Sequence, residues 1–229
     1  MNEYDKLACI FCENIGKVNV AVKGAQRNRS KFLSSTQNFC FGEYILFRGK
    51  SMYSMNDNAI IDSFNVFLDN IETIAYASYF CELIDISMAE EEANDTLFKN
   101  LVSAFYFLKN KAVNPALLCC AFEVKLLKLT GYELNLDNCC ICRKKISTSN
   151  FFSLQYYGGV CSECSKVNGV SIRSSSYNIL KYIVKSPIEN ICRLTISKEN
   201  IDELQKLLLD IISNIYYKVP KSLEILKYI

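Results

Sequence analysis

Two pairs of cysteines have a spacing that suits a metal ion. Cys139 and Cys142 form one pair, Cys161 and Cys164 form the other, and eighteen residues separate the pairs. A Cys-x-x-Cys turn points both sulfurs to one side, and two such turns supply the four thiolates of a structural zinc site. Because four protein ligands leave no position for substrate, we predict one zinc ion that stabilises the fold and performs no chemistry. Cys140 is an alternative ligand, although its use would break the two-residue spacing of the first pair.

The residue types that the chain lacks restrict its enzymatic chemistry. It contains no histidine, which excludes Ser-His-Asp and Cys-His arrangements and the histidine-containing zinc hydrolase motifs. Gly49-Lys50-Ser51 resembles the end of a phosphate-binding loop, but Tyr44 stands where that motif requires glycine, so we predict a hairpin turn. A metal-dependent nuclease would need carboxylates around an open metal site, and the run Glu90-Glu91-Glu92 is better explained as a loop between helices. We expect no catalytic activity.

Length and composition indicate one or two folded domains. The chain has 229 residues, of which 50% are hydrophobic, and this is enough to bury a core. Its start carries acidic residues where a signal peptide would be basic, and no window holds about 18 uncharged apolar residues. We therefore expect a cytoplasmic protein without a membrane span. Its twelve cysteines would then be reduced thiols or metal ligands.

Charge divides the chain into three zones that the net charge of +2 conceals. Residues 1–56 carry a net charge of +4, residues 57–137 carry −8 and residues 138–229 carry +6. Within the first zone, one stretch of fifteen residues contains five basic side chains and no acid. We predict that this stretch binds phosphate groups, because clustered like charges without counter-ions are locally costly. Its basic residues are Lys17, Lys23, Arg27, Arg29 and Lys31.

The first zone also shows the alternation and the turn signals of short β-strands. Five strands are predicted, over residues 6–12, 16–22, 39–48, 52–55 and 58–64. Short strands joined by tight turns, without a long helix, are typical of a small β-barrel. We predict such a domain over residues 1–68.

A small barrel can bind single-stranded nucleic acid by placing cations along the phosphates and aromatic rings against the bases. Arg48 and Lys50, near the tip of the second predicted hairpin, therefore join the candidate phosphate contacts. Tyr44, Phe47 and Tyr53 lie beside them. For each of these rings, packing inside the barrel is favoured over contact with bases.

The hydrophobic pattern changes at about Asp69, where a period of two residues gives way to a period of about 3.6. This change predicts a helical domain, whose first helix would bury a face that begins with Ile71. The third helix would begin at Asn114-Pro115 and end at Gly131, because asparagine caps helices, proline suits the first turn and glycine suits the end. The second helix is predicted to bury Leu97, Leu101, Ala104, Phe105 and Leu108.

The cysteine pairs lie in a ribbon, residues 137–168, that interrupts the helical domain. Two further helices are predicted after it, over residues 175–185 and 197–217, and Ser197 would cap the second. Residues 69–229 would therefore form a helical domain with an inserted zinc ribbon. The whole chain is predicted to be an α+β protein.

Seven short segments, taken together and in their order, resemble one protein family. They are Glu3-Tyr4-Asp5-Lys6-Leu7, Gly16-Lys17-Val18, Val22-Lys23-Gly24-Ala25, Leu46-Phe47-Arg48-Gly49-Lys50, Ala77-Ser78-Tyr79-Phe80-Cys81-Glu82-Leu83, Phe122-Glu123-Val124-Lys125-Leu126-Leu127 and Gly131-Tyr132. Over nearly its whole length the chain is similar to the RecO family of bacterial recombination-mediator proteins, and its four-cysteine ribbon lies where many members have one.

The resemblance implies an N-terminal OB-fold, a helical domain with a zinc ribbon, and a non-enzymatic role in DNA repair. Family members bind single- and double-stranded DNA, anneal strands coated by single-strand binding protein (SSB), and help to load recombinase at gaps. They contact the acidic tail of SSB and join a RecR partner. By position, Lys23, Arg27, Arg29 and Lys31 fall on the basic loop of the family.

The chain departs from the family pattern in two places. Members usually have another strand before the segment that starts here at Glu3, so either the barrel lacks this strand or it lies upstream of Met1. Zinc knuckles commonly place glycine after the second cysteine of a pair, where this chain has Arg143 and Ser165, so we expect local backbone strain. An alternative function is an interaction adaptor, in which the acidic zone and the ribbon bind proteins and the barrel is only a scaffold.

Overall fold

A computed structural model describes residues 2–218, 220–222 and 224. They form an α+β protein, in which no described helix has both the length and the apolar character needed to cross a bilayer. The strands are β1 (Lys6–Cys12), β2 (Gly16–Val22), β3 (Phe41–Arg48), β4 (Tyr53–Asp62), β5 (Phe151–Ser153), β6 (Gly158–Gly159) and β7 (Gly169–Ser171). The helices are α1 (Ile71–Ser87), α2 (Asp95–Lys109), α3 (Pro115–Leu129), α4 (Ser174–Lys185) and α5 (Lys198–Tyr216), with short 3-10 helices at Asn65–Asp69 and Ile188–Arg193.

The N-terminal strands form one sheet in the order β1-β2-β4-β3. The two hairpins, β1 with β2 and β3 with β4, are antiparallel, and a short parallel contact between β2 and β4 joins them. Two strands were predicted where β4 runs without interruption. A bulge explains the difference, because Ile45 pairs with Asp57 while Leu46 pairs with Met55. The extra residue, Asn56, interrupts the alternation on which the prediction relied.

The sheet is open rather than closed into a barrel. Strands β1 and β3 lie at its two edges and do not pair with each other in the part of the chain that the structure describes. A groove with a volume of about 1140 Å³ lies between these edges and helices α1 and α2. The described strands therefore do not close into the predicted small barrel, for which a missing strand was expected, although Val18, Val20, Val22 and Met55 bury one face of the sheet as a barrel interior would.

Helix α3 lies at the centre of the helical part and packs against α1, α2, α4 and α5. Ten of its fifteen residues are buried, as expected for a helix that is apolar on all sides. The predicted stripe of α2 is buried as expected. The hydrophobic pattern predicted that Ile71 is buried, and this was wrong, because Ile71 is 55% exposed at the first position of α1.

Asparagine side chains begin three of the helices. Asn70 Oδ1 accepts a hydrogen bond from the Glu72 amide at 2.7 Å, and Asn94 and Asn114 do the same for α2 and α3. Gly131 ends α3 at a φ of +93°, as predicted. Ser197 occupies the N-cap position of α5, but its side chain makes no capping hydrogen bond.

A carboxyl group is buried in the helical core. Glu123 on α3 is 1% exposed, and it accepts a hydrogen bond from the hydroxyl group of Tyr79 on α1. Burial raises the pKa of Glu123 to about 8, against the opposing effect of the hydrogen bond from Tyr79 and of the nearby Cys119 thiol. Its second oxygen, Oε2, has no hydrogen-bond partner among the described residues.

We predict that Glu123 makes the protein less stable as the pH rises. The folded protein holds a proton that an unfolded glutamate releases above its ordinary pKa of 4.5. This contribution is fully present below about 4.5 and is lost as the pH rises to about 8. The free energy of unfolding should therefore fall by up to about 1.4 kcal/mol per pH unit in this range.

Urea unfolding of Glu123→Gln at a series of pH values measures this effect. The glutamine keeps the size of the side chain and an acceptor for Tyr79 but cannot ionise, so the variant should lose this part of the slope. Glu92→Gln, which removes an exposed carboxylate, should keep the wild-type slope. Equal slopes for wild type and Glu123→Gln would contradict the prediction.

Candidate metal centre and nucleic-acid interface

The metal-ligand candidates lie on two turns of the ribbon. Two backbone hydrogen bonds close the first turn. The Arg143 amide donates to the Cys139 carbonyl oxygen at 3.0 Å, and the Cys139 amide donates to the Lys144 carbonyl oxygen at 2.8 Å. Arg143 has a φ of +65°, which is the strained conformation expected where similar turns have glycine, whereas Ser165 is not among the residues with positive φ. The second turn follows β6, which pairs with β5 in the small sheet β6-β5-β7.

These turns bring four sulfur atoms together. The Sγ atoms of Cys139, Cys142, Cys161 and Cys164 all lie within 4.8 Å of one another, and no other described residues form such a metal-ligand group. The Sγ atoms of Cys142 and Cys161 are 3.7 Å apart. In a tetrahedral site with Zn–S bonds of about 2.3 Å, neighbouring sulfurs are about 3.8 Å apart. The cluster excludes Cys140, whose Sγ lies 3.7 Å from the Gly158 carbonyl oxygen.

The surroundings of the cluster favour ionised sulfur at one position and penalise it at another. Burial opposes ionisation of Cys139, but backbone N–H groups of Cys142, Cys161 and Ile141 outweigh it and lower the pKa to about 6. The pKa of Cys164 is raised to about 12, chiefly by its hydrogen bonds with Cys161 and Cys142. Four thiolates this close would repel one another unless a cation lay between them. The four sulfurs therefore suit a divalent metal ion that offsets their negative charge.

Most of the predicted cationic stretch lies on the loop of residues 23–40, which joins β2 to β3. Two residues just before β1, Tyr4 and Asp5, hold this loop in place. The Gly24 amide donates to Asp5 Oδ1 at 2.9 Å, and the Gln26 amide donates to the Tyr4 carbonyl oxygen at 3.0 Å. Hydrogen bonds from the amides of Asn2 and Gly24 lower the pKa of Asp5. These hydrogen bonds therefore fix the conformation of the loop near Lys23 and Arg27.

Three of the predicted phosphate contacts are exposed on this loop. Lys23, Arg27 and Arg29 form no ion pair with any described residue. The Arg27 guanidinium lies 5.7 Å from the centre of the exposed Tyr4 ring. Lys31, further along the loop, forms an ion pair of 2.9 Å with Asp57 of β4.

The other predicted contacts lie elsewhere on the sheet. Lys17 and Lys23 stand at opposite ends of β2, about 20 Å apart. Lys17 is only 12% exposed and pairs with Asp85 of α1 at 2.9 Å, and Arg48 pairs with Glu91 at 2.7 Å. Lys50 is exposed in the β3–β4 turn. The seven cations are thus divided among three places. Four lie on the loop, two lie at the seam where Lys17 and Arg48 pair with Asp85 and Glu91, and Lys50 lies in a turn.

Sequence reasoning missed the residues that position the loop. Tyr4 and Asp5 were noted only as part of a family segment, and no local signal links them to Gly24 or Gln26, about twenty residues later. The interpretation of Phe47 was also wrong, because its ring is 59% exposed on the outer face of β3. The alternation along β3 shows which residues share a face with Phe47, but it does not show which face of the sheet is buried.

Comparison with known proteins covers the chain from end to end. The family model "Recombination protein O N terminal" matches residues 1–64, and "Recombination protein O C terminal" matches residues 68–224. Among curated proteins, the chain is similar to the DNA repair protein RecO of Clostridium novyi, with 50% identity over 99% of this chain and 89% of the relative.

Two further relatives show the range of the similarity. The DNA repair protein RecO of Clostridium acetobutylicum is 49% identical over 100% of this chain and 93% of the relative. The protein of the same name from Acetivibrio thermocellus is 30% identical over 89% of this chain and 82% of the relative. Both halves of the fold thus match one family, and the chain belongs to the RecO family of DNA repair proteins.

Proposed function

We propose that this chain is a non-enzymatic recombination mediator that binds single- and double-stranded DNA in the bacterial cytoplasm. It would anneal strands and help to load recombinase onto gaps coated by SSB. The observation that supports this most directly is that Lys23, Arg27 and Arg29 are exposed on one loop and form no ion pair with any described acid. Membership of a family of DNA repair proteins supports DNA as the ligand.

Annealing by such a protein needs no active site. Two DNA strands repel each other through their phosphates, and cations held at a fixed place lower this repulsion until base pairing can proceed. The sheet that carries the loop is, in this proposal, an OB-fold-like domain over residues 1–68. The remaining residues, 69–229, form the helical domain, with the ribbon at residues 137–168.

The proposed metal is zinc, bound by the four cysteines of the ribbon. When bound, it would join the two turns of the ribbon through thiolate bonds and supply no reaction chemistry, since the four sulfurs fill a tetrahedral shell. Its contribution to folding would be large, because structural zinc sites of this type bind with about 10–16 kcal/mol of apparent free energy.

The proposed protein partners are a RecR-like protein and the acidic tail of SSB. A cavity of about 550 Å³ at the base of the ribbon offers a place for an acidic peptide. Lys128, Lys181 and Lys185 line it, although each already pairs with an acid. Lys128 lies 2.7 Å from Glu133, and Asp137 pairs with the other two at 2.8 and 2.9 Å.

A protein-binding adaptor without DNA affinity is the second candidate. Exposed apolar side chains on the ribbon, Ile141 and Val167, favour it, since such residues often mark protein contacts. The DNA-binding experiment below separates the two functions, because an adaptor would show no dependence on the loop cations.

We predict one zinc ion per chain in protein purified under reducing conditions. Cys161→Ser should reduce the metal content to nearly zero, because serine replaces a thiolate of the closed shell. Cys140→Ser should keep the metal, since the Cys140 sulfur lies outside the cluster. Metal analysis of the two variants measures this, and stoichiometric zinc in Cys161→Ser would refute the assignment.

We predict that the loop cations set the salt dependence of DNA binding. If about five phosphates are neutralised, the logarithm of the affinity for single strands should fall with the logarithm of salt concentration at a slope of about −3.5. The double variant Arg27→Gln/Arg29→Gln should flatten this slope by about 1.4. Fluorescence anisotropy with a labelled oligonucleotide measures it.

The control for this experiment removes the same charge from another surface. Lys198→Gln/Lys206→Gln changes two exposed lysines of α5, and it should leave the slope close to that of the wild type. Equal effects of the two double variants would show that net charge, rather than the loop, controls binding.

A further inference from the structure

The acidic segment, residues 85–95, runs from the last turn of α1 to the first residue of α2 and lies against the sheet. Residues 85–95 contain five carboxylates and no basic residue. Three of these carboxylates contact residues of β2 and β3. Lys17 Nζ lies 2.9 Å from Asp85 Oδ1, Asn19 Nδ2 donates to Glu90 Oε1 at 2.6 Å, and Arg48 lies 2.7 Å from Glu91 Oε2.

The backbone of the same segment is fitted to the sheet. The Glu91 amide donates to the Lys17 carbonyl oxygen at 2.9 Å, and Glu91 adopts a φ of +58°. A Cβ atom on Gly16 would overlap the carbonyl group of Glu92, so only glycine permits this approach. The acidic segment therefore occupies a defined position beside β2.

The groups on the sheet that hold these carboxylates are those that bind DNA backbones. Lysine, arginine and asparagine side chains make many of the phosphate contacts of DNA-binding proteins. A carboxylate and a phosphate both accept charge-assisted hydrogen bonds from such donors. In this structure, three of the seven cations predicted to contact phosphates pair with the chain's own acids, and two of them, Lys17 and Arg48, pair with acids of this segment.

We propose that the acidic segment is an internal competitor for the DNA backbone, which regulates access to Lys17 and Arg48. This inference rests on the proposed function, since it concerns the same DNA-binding surface. DNA would first contact the exposed loop cations, and a strand that continues along β2 would replace Glu91 at Arg48 and Asp85 at Lys17. The exchange is easiest at Arg48, because its ion pair with Glu91 is exposed and such pairs are weak in water. Release of Lys17 costs more, since it is only 12% exposed and also donates to the Asp85 carbonyl oxygen at 2.7 Å.

The competitor also limits the affinity of the resting protein. Lys17 and Arg48 add nothing to the attraction of DNA while Asp85 and Glu91 neutralise them. DNA fragments that reach only the loop would leave the seam closed, whereas longer strands would open it. The device would favour strands long enough to span β2, about 20 Å.

Glu91→Gln tests the proposal, and Glu92→Gln is its matched control. The two glutamates are neighbours with the same charge, but only the Glu91 side chain contacts a described cation. Glu91→Gln should bind single strands about two- to fivefold more tightly, with a salt slope about 0.7 steeper. Glu92→Gln should change both quantities much less.

A double variant identifies the cation that is released. In Arg48→Gln/Glu91→Gln the gain over Arg48→Gln alone should disappear, because the released contact is absent. If the pair only fastens the sheet to the helices, Glu91→Gln will lower thermal stability and leave the salt slope unchanged. That result would overturn the proposal, as would equal effects of Glu91→Gln and Glu92→Gln.

Failure of this inference can be told apart from failure of the proposed function. Wild-type protein that binds no DNA, or whose slope does not respond to Arg27→Gln/Arg29→Gln, would overturn both. If those loop variants flatten the slope as expected while Glu91→Gln behaves like Glu92→Gln, the mediator function stands and only the internal competitor is refuted.

Discussion

The burial of helix α3 is the constraint on which the other parts of the structure depend. Apolar side chains cover it on all sides, and the four other helices pack around it. Helices α1 and α2 in turn carry the aromatic side chains against which the sheet rests, among them Phe98, which lies 5.9 Å from the Phe11 ring and 6.2 Å from the Phe41 ring. The ribbon leaves the end of α3 and returns at α4. Sheet and ribbon are therefore positioned by one hydrophobic core.

Charge acts on this framework at the seam between the sheet and the helices. The acidic middle zone of the sequence folds so that Asp85 and Glu91 meet Lys17 and Arg48, while Lys109 of α2 pairs with Asp62 of β4 at 2.5 Å. These pairs hold the sheet against the helices, whereas Lys23, Arg27 and Arg29 of the loop pair with no described acid. The three unpaired loop cations, which we propose as the first contacts for DNA, are thus separate from the cations that hold the sheet against the helices.

Local patterns in the sequence predicted the features that local interactions form. The spacing of Cys139, Cys142, Cys161 and Cys164 was sufficient to identify the cluster, because each turn brings its own two sulfurs to one side. The hairpin of β1 and β2, the start of α3 at Asn114 and its end at Gly131 were also predicted, since caps and turns involve residues a few positions apart. The extent of β4 was missed because a single bulge residue disrupts the alternation.

Long-range packing decided the remaining features. The sequence by itself determined the family, the α+β class, the cysteine cluster and the presence of a cationic stretch, since each depends on residue types at short spacing. Only the tertiary structure decided that the sheet is open, that Phe47 is exposed and that Glu123 is buried. It also decided that Lys17 and Arg48 face carboxylates, whereas Lys23, Arg27 and Arg29 do not. The physical reason is that burial and ion pairing depend on which distant segment lies opposite a residue, and local spacing does not contain that information.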